Sequence, residues 1–266
     1  FKEFPDLNGR LVPYADMPHN QTTPEARWLR ANPHRLDLGQ IGFVLKHSGG
    51  SPATTNDLTG IRQKLDLWNG EILSHFQFDG EPVDVETVCD PNLDAVAVQV
   101  TSPLVQQGRL AIQIHFPYGT GDVKTADWDH PDAHETTLTQ DQSNTGHFAR
   151  KLDHDTYVMD AEWSLGATIT NIAKHQYVIG FGAPGTAPAN SQTMPPPAGT
   201  VPGVPAKLEL VCEFAPQANA RLTTFAQARA DAKTHWNHFW TTGGAIDLSG
   251  SKDPRCLELE RRIVMS

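Results

Sequence analysis

The chain has 266 residues, a net charge of −10 and a mean hydropathy of −0.42, and this length can bury the core of one large β domain or two small ones. Acidic residues are spread along the sequence and the lysines and arginines form no cluster, which excludes nucleic acid and anionic membranes as favoured partners. No apolar run approaches the roughly 20 residues that a transmembrane helix requires, so we expect no contact with a membrane.

The first 35 residues are predicted to be irregular, because five prolines interrupt them. Within this segment, Asn20-Gln21-Thr22 is an N-glycosylation sequon. We expect a surface loop here, a glycan on Asn20, and a secreted or extracellular protein.

From Leu36 onwards the sequence is typical of β structure, with short alternating or apolar runs bounded by Gly, Pro, Asn and Asp. Trp68-Asn69-Gly70-Glu71 and Phe78-Asp79-Gly80-Glu81 each contain a dipeptide typical of a type I′ hairpin turn. The three runs around them are therefore predicted to form an antiparallel meander. A second group of β runs extends from His147 to Phe214.

A segment rich in proline and glycine, from Gly180 to Lys207, separates two of the later β runs. A linker between domains would have this composition. Because runs of similar character flank the segment, we favour a loop within one sheet system.

Three cysteines, Cys89, Cys212 and Cys256, show no spacing typical of a metal site. Cys212 falls on the apolar side of an alternating run, which indicates a buried thiol. A disulfide between Cys89 and Cys212 remains an open alternative.

After Phe214 the apolar period changes from 2 to 3.6, which predicts a helix capped by Thr223 or Thr224. Trp236 and Trp240 lie on its apolar face, and Gly243-Gly244 is expected to end it.

The last residues predict a second helix, with Asp253 as its N-cap and with Cys256, Leu259 and Ile263 on one apolar stripe. Such a stripe requires a partner, which we expect to lie beyond Ser266. The interpretation is that residues 1–222 form a mainly β, antiparallel super-sandwich with an irregular N-terminal segment. Residues 223–266 would be linker helices, the start of an α/α barrel that is missing from this chain.

Side chains that could bind a metal are densest between Asp127 and Glu135, where His130 and His134 have a helical i, i+4 spacing. Pro131 and the polar surroundings favour a loop instead, so no metal site is predicted. The sequence contains no GxSxG nucleophile motif, and it nominates no catalytic residue and no cofactor.

The C-terminal region contains, in this order, Trp236, Trp240, Ile246, Asp247, Asp253, Leu257, Glu260, Arg261 and Arg262. This order resembles the junction between β-sandwich and helical barrel in six-hairpin glycosidases, in particular glycoside hydrolase family 65 and its relatives. The stretch from Asn32 to Phe43 is similar to the first sandwich strand of such proteins. The resemblance implies an N-terminal sandwich that packs through linker helices on an (α/α)6 barrel, which would carry the general acid.

We therefore interpret the chain as the non-catalytic N-terminal part of a glycoside hydrolase or phosphorylase. A stand-alone carbohydrate-binding protein, or lectin, is the alternative. Indole faces stack on pyranose rings, and core packing explains Trp68 and Trp128 less well than the other tryptophans. The candidate carbohydrate contacts are Trp68, Trp128 and, nearest the expected junction, Trp240, Asp247 and Lys252.

Overall fold

The computed structural model describes residues 2–14, 23–24, 36–120, 125–181, 206–217 and 222–266. The predicted mainly β, antiparallel fold is confirmed, whereas the sequon at Asn20 lies outside the described residues. Contacts divide the chain into two units, one formed by residues 1–38 and 117–133 and the other by residues 39–116 and 134–266.

Strands are the commonest element and make up just under half of the described chain, and the helices are concentrated after residue 222. The elements in chain order are β1 (Lys2–Pro5), β2 (Leu11–Tyr14), β3 (Gln40–Leu45), β4 (Leu58–Asp66), β5 (Glu71–Phe78), β6 (Glu81–Cys89), β7 (Ala95–Thr101), α1 (Pro103–Gln106), β8 (Leu110–His115), β9 (Tyr118–Gly119), β10 (Ala126–Asp127), β11 (His134–Thr139), β12 (Thr145–Leu152), β13 (Asp155–Trp163), β14 (Thr168–Ala173), β15 (Gln176–Gly180), β16 (Lys207–Ala215), α2 (Phe225–Phe239) and α3 (Cys256–Met265).

The smaller unit contains two antiparallel pairs, β1 with β2 and β9 with β10. The description of the N-terminal segment as irregular is wrong for residues 2–14, because the Asp6 carboxylate accepts the N–H groups of Asn8 and Arg10 and closes a hairpin. Pro5 and Pro13 are tolerated because both strands of a two-stranded sheet are edge strands, which need fewer ladder donors.

The larger unit contains a sandwich of two antiparallel sheets of unequal width. One sheet has eight strands in the order β11-β12-β13-β16-β7-β6-β5-β4, and the other has four in the order β14-β15-β8-β3. Alternate residues of both sheets point into a shared core, as the period of 2 predicts. Its members include Phe78, Val100, Ile112, Phe148, Ile179 and Leu210.

The cysteines are free thiols in the structure. Cys89 and Cys212 pair with opposite sides of Val96, so they lie two strands apart, at about 9.6 Å from the usual strand spacing. That separation exceeds the Cα distance of a disulfide. Cys212 is fully buried, as predicted, and burial raises the pKa of its thiol.

The turn at Asp79-Gly80 is confirmed as a two-residue turn in which both residues have positive φ. The type I′ turn predicted at Asn69-Gly70 is wrong, because four residues, 67–70, separate Asp66 from its partner Glu71. The Asp66 carboxylate accepts the N–H groups of Trp68 and Asn69, which stabilises this longer loop. In the same hairpin, the pairing of β4 shifts at a bulge between Thr59 and Arg62.

The predicted loop between Gly180 and Lys207 joins the two sheets of the sandwich, because β15 belongs to the narrow sheet and β16 to the wide one. Both flanking strands belong to the larger unit, and the interpretation of the segment as a loop within one sheet system stays a prediction. Residues 182–205 lie outside the described residues.

Helix α2 begins where predicted, because the Thr224 hydroxyl accepts the N–H of Gln227 at 3.2 Å. Its apolar face packs on the outer face of the wide sheet and forms a second core there. A π-helical turn, Trp240–Gly244, follows the helix, and Gly243 at φ 125° ends it. The second core contains Val88, Ala95, Ala97, Val211, Phe225, Ala228 and Ala232.

A charge pair lies beside this second core. Arg229 of α2 contacts Glu71 at 2.7 Å and Glu86 at 3.4 Å, and the Glu71 side chain is only 7% exposed. The hydrogen bond to Glu71 is the main cause that raises the pKa of Arg229. A buried carboxylate requires a cation or several donors, so this pair fixes where α2 lies along the sheet.

Gly70 allows the β4–β5 loop to approach α2 closely. Its φ is +67°, and an added Cβ would lie 2.1 Å from the Trp236 ring. We predict that Gly70→Ala lowers the free energy of unfolding by about 3 kcal/mol or more, since it combines left-handed strain with a steric clash. Urea unfolding measures this change.

Gly80→Ala is the matched control for that prediction. Gly80 follows Asp79 in a hairpin turn, just as Gly70 follows Asn69, and its φ is +79°. An added Cβ on Gly80, however, would meet no atom within 4 Å. Its cost is expected to be about 1 kcal/mol, from backbone strain alone. Equal losses in the two variants would contradict the close contact between Gly70 and Trp236.

Removing the Arg229 charge is predicted to destabilise the protein by about 2 kcal/mol, because Glu71 would remain buried without its cation. Arg229→Met retains most of the aliphatic stem. Arg255→Met is the control, because Arg255 pairs with Asp253 at the surface and is 86% exposed. This variant is expected to change the free energy of unfolding by less than about 0.5 kcal/mol. If Arg229→Met lowers the stability as little as Arg255→Met does, the pair of Arg229 and Glu71 does not fix the position of α2 on the sheet.

Candidate functional site

Four aromatic side chains meet where α2 ends against the β4–β5 loop. We call them the aromatic cluster: Trp68 from the loop, Trp236 and Phe239 from α2, and Trp240 from the π-helical turn. The predicted carbohydrate contacts Trp68 and Trp240 are thus brought together by elements more than 160 residues apart in sequence.

Trp240 lies at the centre of the aromatic cluster. Its ring centroid is 6.1 Å from Trp68, 6.2 Å from Trp236 and 4.9 Å from Phe239. The Trp236 and Trp240 rings are stacked at 28°, while the other two pairs are tilted or edge-on. These are favourable geometries for aromatic pairs.

Two hydrogen bonds attach the end of α2 to the loop backbone. The Trp240 indole N–H donates to the Leu67 carbonyl at 2.6 Å, and the Asn237 amide donates to the Trp68 carbonyl at 2.9 Å. Neither Leu67 nor Asn237 is identified as a site residue by the sequence patterns. Leu67 contributes only a backbone carbonyl, which no pattern of side chains reveals.

The cluster retains an accessible surface. Trp68 is 53% exposed and Phe239 is 44% exposed, although both rings pack against Trp240. Half-exposed indoles can stack on the apolar face of a pyranose or be covered by another protein surface. The aromatic cluster therefore presents an accessible apolar surface next to the end of α2.

A mixed-charge groove of about 380 Å³ lies on strands β4, β5 and β6 of the wide sheet. His75 and Asp84 face each other there, with Nδ1 and Oδ1 2.7 Å apart, and Glu86 connects the groove to Arg229 of α2. Arg62 and Lys64 line the β4 side. Polar groups of both signs at a groove can satisfy hydroxyl groups as donors and as acceptors.

Asp247 and Lys252 lie further along the chain, between the π-helical turn and α3. The Asp247 carboxylate accepts the Ser249 N–H at 2.8 Å, and the Ser249 side chain followed by its backbone N–H lowers the pKa of Asp247. Asp247 therefore stabilises a turn. Lys252 is exposed in the same loop.

Helix α3 begins at Cys256 and its N-cap residue is Arg255, so the prediction of Asp253 as the N-cap is wrong. The Asp253 carboxylate accepts the Arg255 N–H at 2.9 Å and stabilises the turn before the helix instead. The Glu260 carboxylate accepts the Leu248 N–H and attaches the helix to the loop. Arg261 and then Arg262 hold the pKa of Glu258 at about 2. The apolar side chains of the helix are exposed, by 70% at Leu257, 51% at Leu259, 37% at Ile263, 61% at Val264 and 72% at Met265.

The remaining candidate, Trp128, lies in the smaller unit. It follows β10 in a turn where the Asp127 carboxylate accepts the Asp129 N–H and pairs with His130. Trp128 is 39% exposed. The structure therefore assigns it to a different unit from Trp68 and Trp240.

Residues 128–133 form a turn and a short 3-10 helix, as the loop interpretation predicted, whereas Asp127 ends β10 and His134 begins β11. Across the described ranges, no group of three or more His, Cys, Asp or Glu side chains is placed to hold a metal ion. The helices within those ranges also lack one long and apolar enough to cross a bilayer.

Comparison with known proteins gives similarity in structure alone. No protein-family model and no curated protein sequence matches the chain. It is similar to a candidate kojibiose phosphorylase from the human microbiome, with a TM-score of 0.49 and 10% identity over 77% of this chain and 28% of that one. It is also similar to a bacterial glucoamylase complexed with acarbose, with a TM-score of 0.46 and 8% identity over 77% of this chain and 32% of the glucoamylase.

The chain thus spans about a third or less of the length of either structure. Both of those proteins are carbohydrate-active enzymes by name. No family assignment follows from likenesses at this level.

Trp240 contacts the three other rings of the aromatic cluster, so its replacement is expected to destabilise the protein more than replacement of Trp68. Trp240→Phe is expected to cost about 1–2 kcal/mol, because it removes the hydrogen bond to Leu67 and part of the packing. Trp68→Phe is the control and is expected to cost less than about 0.5 kcal/mol, since Trp68 is 53% exposed.

Near-ultraviolet circular dichroism provides the second measurement. Each variant removes one member of the indole pair, so both are expected to reduce the same coupled signal. If neither variant reduces this signal, Trp68 and Trp240 do not contact each other in solution.

Proposed function

We propose that this chain is the non-catalytic N-terminal sandwich and linker of a carbohydrate-active enzyme, either a glycoside hydrolase or a phosphorylase. A helical catalytic domain of the same polypeptide would pack on α3 and the aromatic cluster. The observation that carries the proposal is the exposed apolar side of α3. This helix follows α2, which packs on the sandwich, after a π-helical turn and a loop.

Helix α3 supports this proposal by the exposure of its apolar side chains. Five of its apolar side chains are more than a third exposed, although its charged residues already pair with one another. A partner that covers this side would supply the burial that stabilises most helices in proteins.

The positions of the residues that carry the family resemblance also support it. Trp236 and Trp240 lie at the end of α2, Asp247 lies in the connecting loop, and Arg261 and Arg262 lie on α3. The resemblance expects this order of sandwich, linker helix, turn and second helix. In such an arrangement Trp68, Trp240, Asp247 and Lys252 would lie near the mouth of the barrel.

Secretion and glycosylation belong to the same proposal. The sequon at Asn20 is expected to carry a glycan in a secreted protein, and Trp128 is expected to contribute a carbohydrate contact from the smaller unit. Peptide mapping of the natural protein tests the glycan, and an unmodified Asn20 would contradict extracellular localisation.

A lectin remains the second candidate, and the 53% exposure of the Trp68 indole favours it specifically. A lectin would bind sugar through this chain alone. The enzyme-fragment proposal instead expects weak binding or none, because the barrel would supply most of the sugar contacts.

The test uses this chain and the protein from its natural source. We expect the chain to release no sugar from α-linked di- and oligosaccharides, with or without phosphate. The natural protein is expected to be active and to exceed 29.2 kDa in mass. Turnover by the chain that disappears when one of its own carboxylates is replaced would overturn the proposal.

Calorimetric titration of the chain with the same sugars separates the lectin from the enzyme fragment. A dissociation constant below about 1 mM that Trp68→Ala weakens at least tenfold, about 1.4 kcal/mol, would support the lectin. Leu257→Asp in the natural protein is the complementary variant. It is expected to disrupt domain packing and activity there while leaving the sandwich of this chain folded.

A further inference from the structure

The mixed-charge groove on the wide sheet lies between two rows of side chains. Residues that are opposite one another in an antiparallel register point to the same face, so each row crosses strands β4, β5 and β6. Val85, between the rows on β6, belongs to the main core, so both rows point to the outer face that carries α2. The first row is Arg62, His75 and Asp84, and the second is Lys64, Leu73 and Glu86.

The two rows enclose a space of ligand size. Residues two positions apart on a strand are separated by about 6.8 Å, and three neighbouring strands span about 9.6 Å. The groove volume of about 380 Å³ lies within the roughly 300–1,000 Å³ of small-molecule sites. One sugar ring with its substituents therefore fits between the rows.

The carboxylates of the groove already have partners. Asp84 Oδ1 lies 2.7 Å from His75 Nδ1, and Glu86 Oε2 lies 3.4 Å from a guanidinium nitrogen of Arg229 on α2. An ionised carboxylate can only accept, so His75 Nδ1 donates to Asp84. These contacts fix the acidic wall of the groove, although the Asp84 side chain remains 63% exposed.

Arg62 occupies the opposite wall without a partner of this kind. Its side chain is exposed, and it makes no hydrogen bond or ion pair with the residues that the structure describes. Lys64, two residues further along β4, contacts Asp66 at 3.5 Å and is 70% exposed. A ligand can therefore bind the Arg62 guanidinium without displacing a protein group.

The unpaired guanidinium determines which end of a ligand binds at this wall. Arginine presents parallel N–H groups that match two oxygens of a carboxylate or of a phosphate. A phosphate dianion in so small a groove would also lie near Asp84 and Glu86, which would repel its two charges. A single carboxylate on a neutral ligand reduces this repulsion.

The acidic wall and the floor of the groove determine the rest of the ligand. Hydroxyl groups donate hydrogen bonds to carboxylates such as those of Asp84 and Glu86. Leu73 is half-buried between the two walls and offers an apolar surface to the C–H face of a ring. A carboxylate at one end, hydroxyl groups at the other and an apolar ring face are the features of a uronic acid.

We propose that the mixed-charge groove binds a hexuronate, either as a single acidic sugar or as one residue of an acidic oligosaccharide. The sugar carboxylate binds Arg62 bidentately, with Lys64 beside it. The hydroxyl groups donate to Asp84 and Glu86, and the ring lies on Leu73. The choice of a sugar among carboxylated ligands rests on the proposed function.

The groove is separate from the aromatic cluster. A third row, formed by Asp66, Glu71 and Val88, lies between the groove and the β4–β5 loop that carries Trp68. Variants at Arg62 and at Trp68 therefore distinguish binding at the two places.

Nuclear magnetic resonance titration of this chain with D-glucuronate measures the binding, with the Leu73 amide and the His75 imidazole as reporters. We expect saturable shifts at both positions and a dissociation constant in the low millimolar range. D-glucose has a hydroxymethyl group in place of the carboxylate and is expected to bind at least tenfold more weakly. Inorganic phosphate is expected to bind at least tenfold more weakly as well, because the acidic wall repels it.

Arg62→Gln is the main variant, and it is expected to fold because Arg62 is exposed and supports no other described side chain. It should weaken glucuronate binding at least tenfold and abolish the preference over glucose. Arg255→Gln is the matched control, since it removes the same charge from a residue that is 86% exposed in the segment before α3. It should leave the dissociation constant unchanged.

Several results would overturn the proposal. They are the absence of a saturable shift with glucuronate, binding of glucose or phosphate as tight as that of glucuronate, and an unchanged dissociation constant in Arg62→Gln. Loss of glucuronate binding in Trp68→Ala but not in Arg62→Gln would assign the sugar to the aromatic cluster and would overturn it too.

The proposed function is tested separately, by the mass and the activity of the natural protein. An inactive natural protein would contradict that function and would leave a glucuronate site at Arg62 standing. Conversely, an active natural protein whose glucuronate affinity does not depend on Arg62 would contradict only the groove.

Discussion

The packing of helix α2 on the outer face of the wide sheet is the contact on which the candidate site depends. A sandwich normally exposes the outer faces of its sheets, but Val88, Ala97 and Val211 make this one apolar beneath the helix. Because the helix is fixed there, its C-terminal end meets the β4–β5 loop and assembles the aromatic cluster. Gly70 permits that approach because it carries no side chain.

The central strands β7 and β16 connect this contact to the main core, because they are buried on both faces. Val98 and Leu210 point into the sandwich, whereas Ala97 and Val211 point towards α2. The two strands consequently have nearly continuous apolar sequences. Glu71 and Glu86 lie at the border of the second core, where Arg229 compensates their charge. The linker is thus attached to the most deeply buried part of the larger unit.

Much of this fold can be predicted from the sequence, because the signals are local. Alternation identified the strands, Asp79-Gly80 identified a turn, and Thr224 identified the start of α2. The Asn69-Gly70 turn was mispredicted because the Asp66 carboxylate competes for its N–H groups. Pairing among distant segments could not be predicted: the contact between Trp68 and Trp240 and the burial of Arg150 in β12 arise only when strands far apart in the chain come together.

The difference in width between the two sheets has a consequence for solubility. A four-stranded sheet is too narrow to cover the whole of an eight-stranded one, and seven of the nine residues of the edge strand β4 are exposed. Strand β4 forms one margin, where unpaired backbone groups could recruit another chain into a growing fibril. Its charged residues Arg62 and Lys64 and the bulge at Thr59–Arg62 are the features by which natural edge strands resist such self-association.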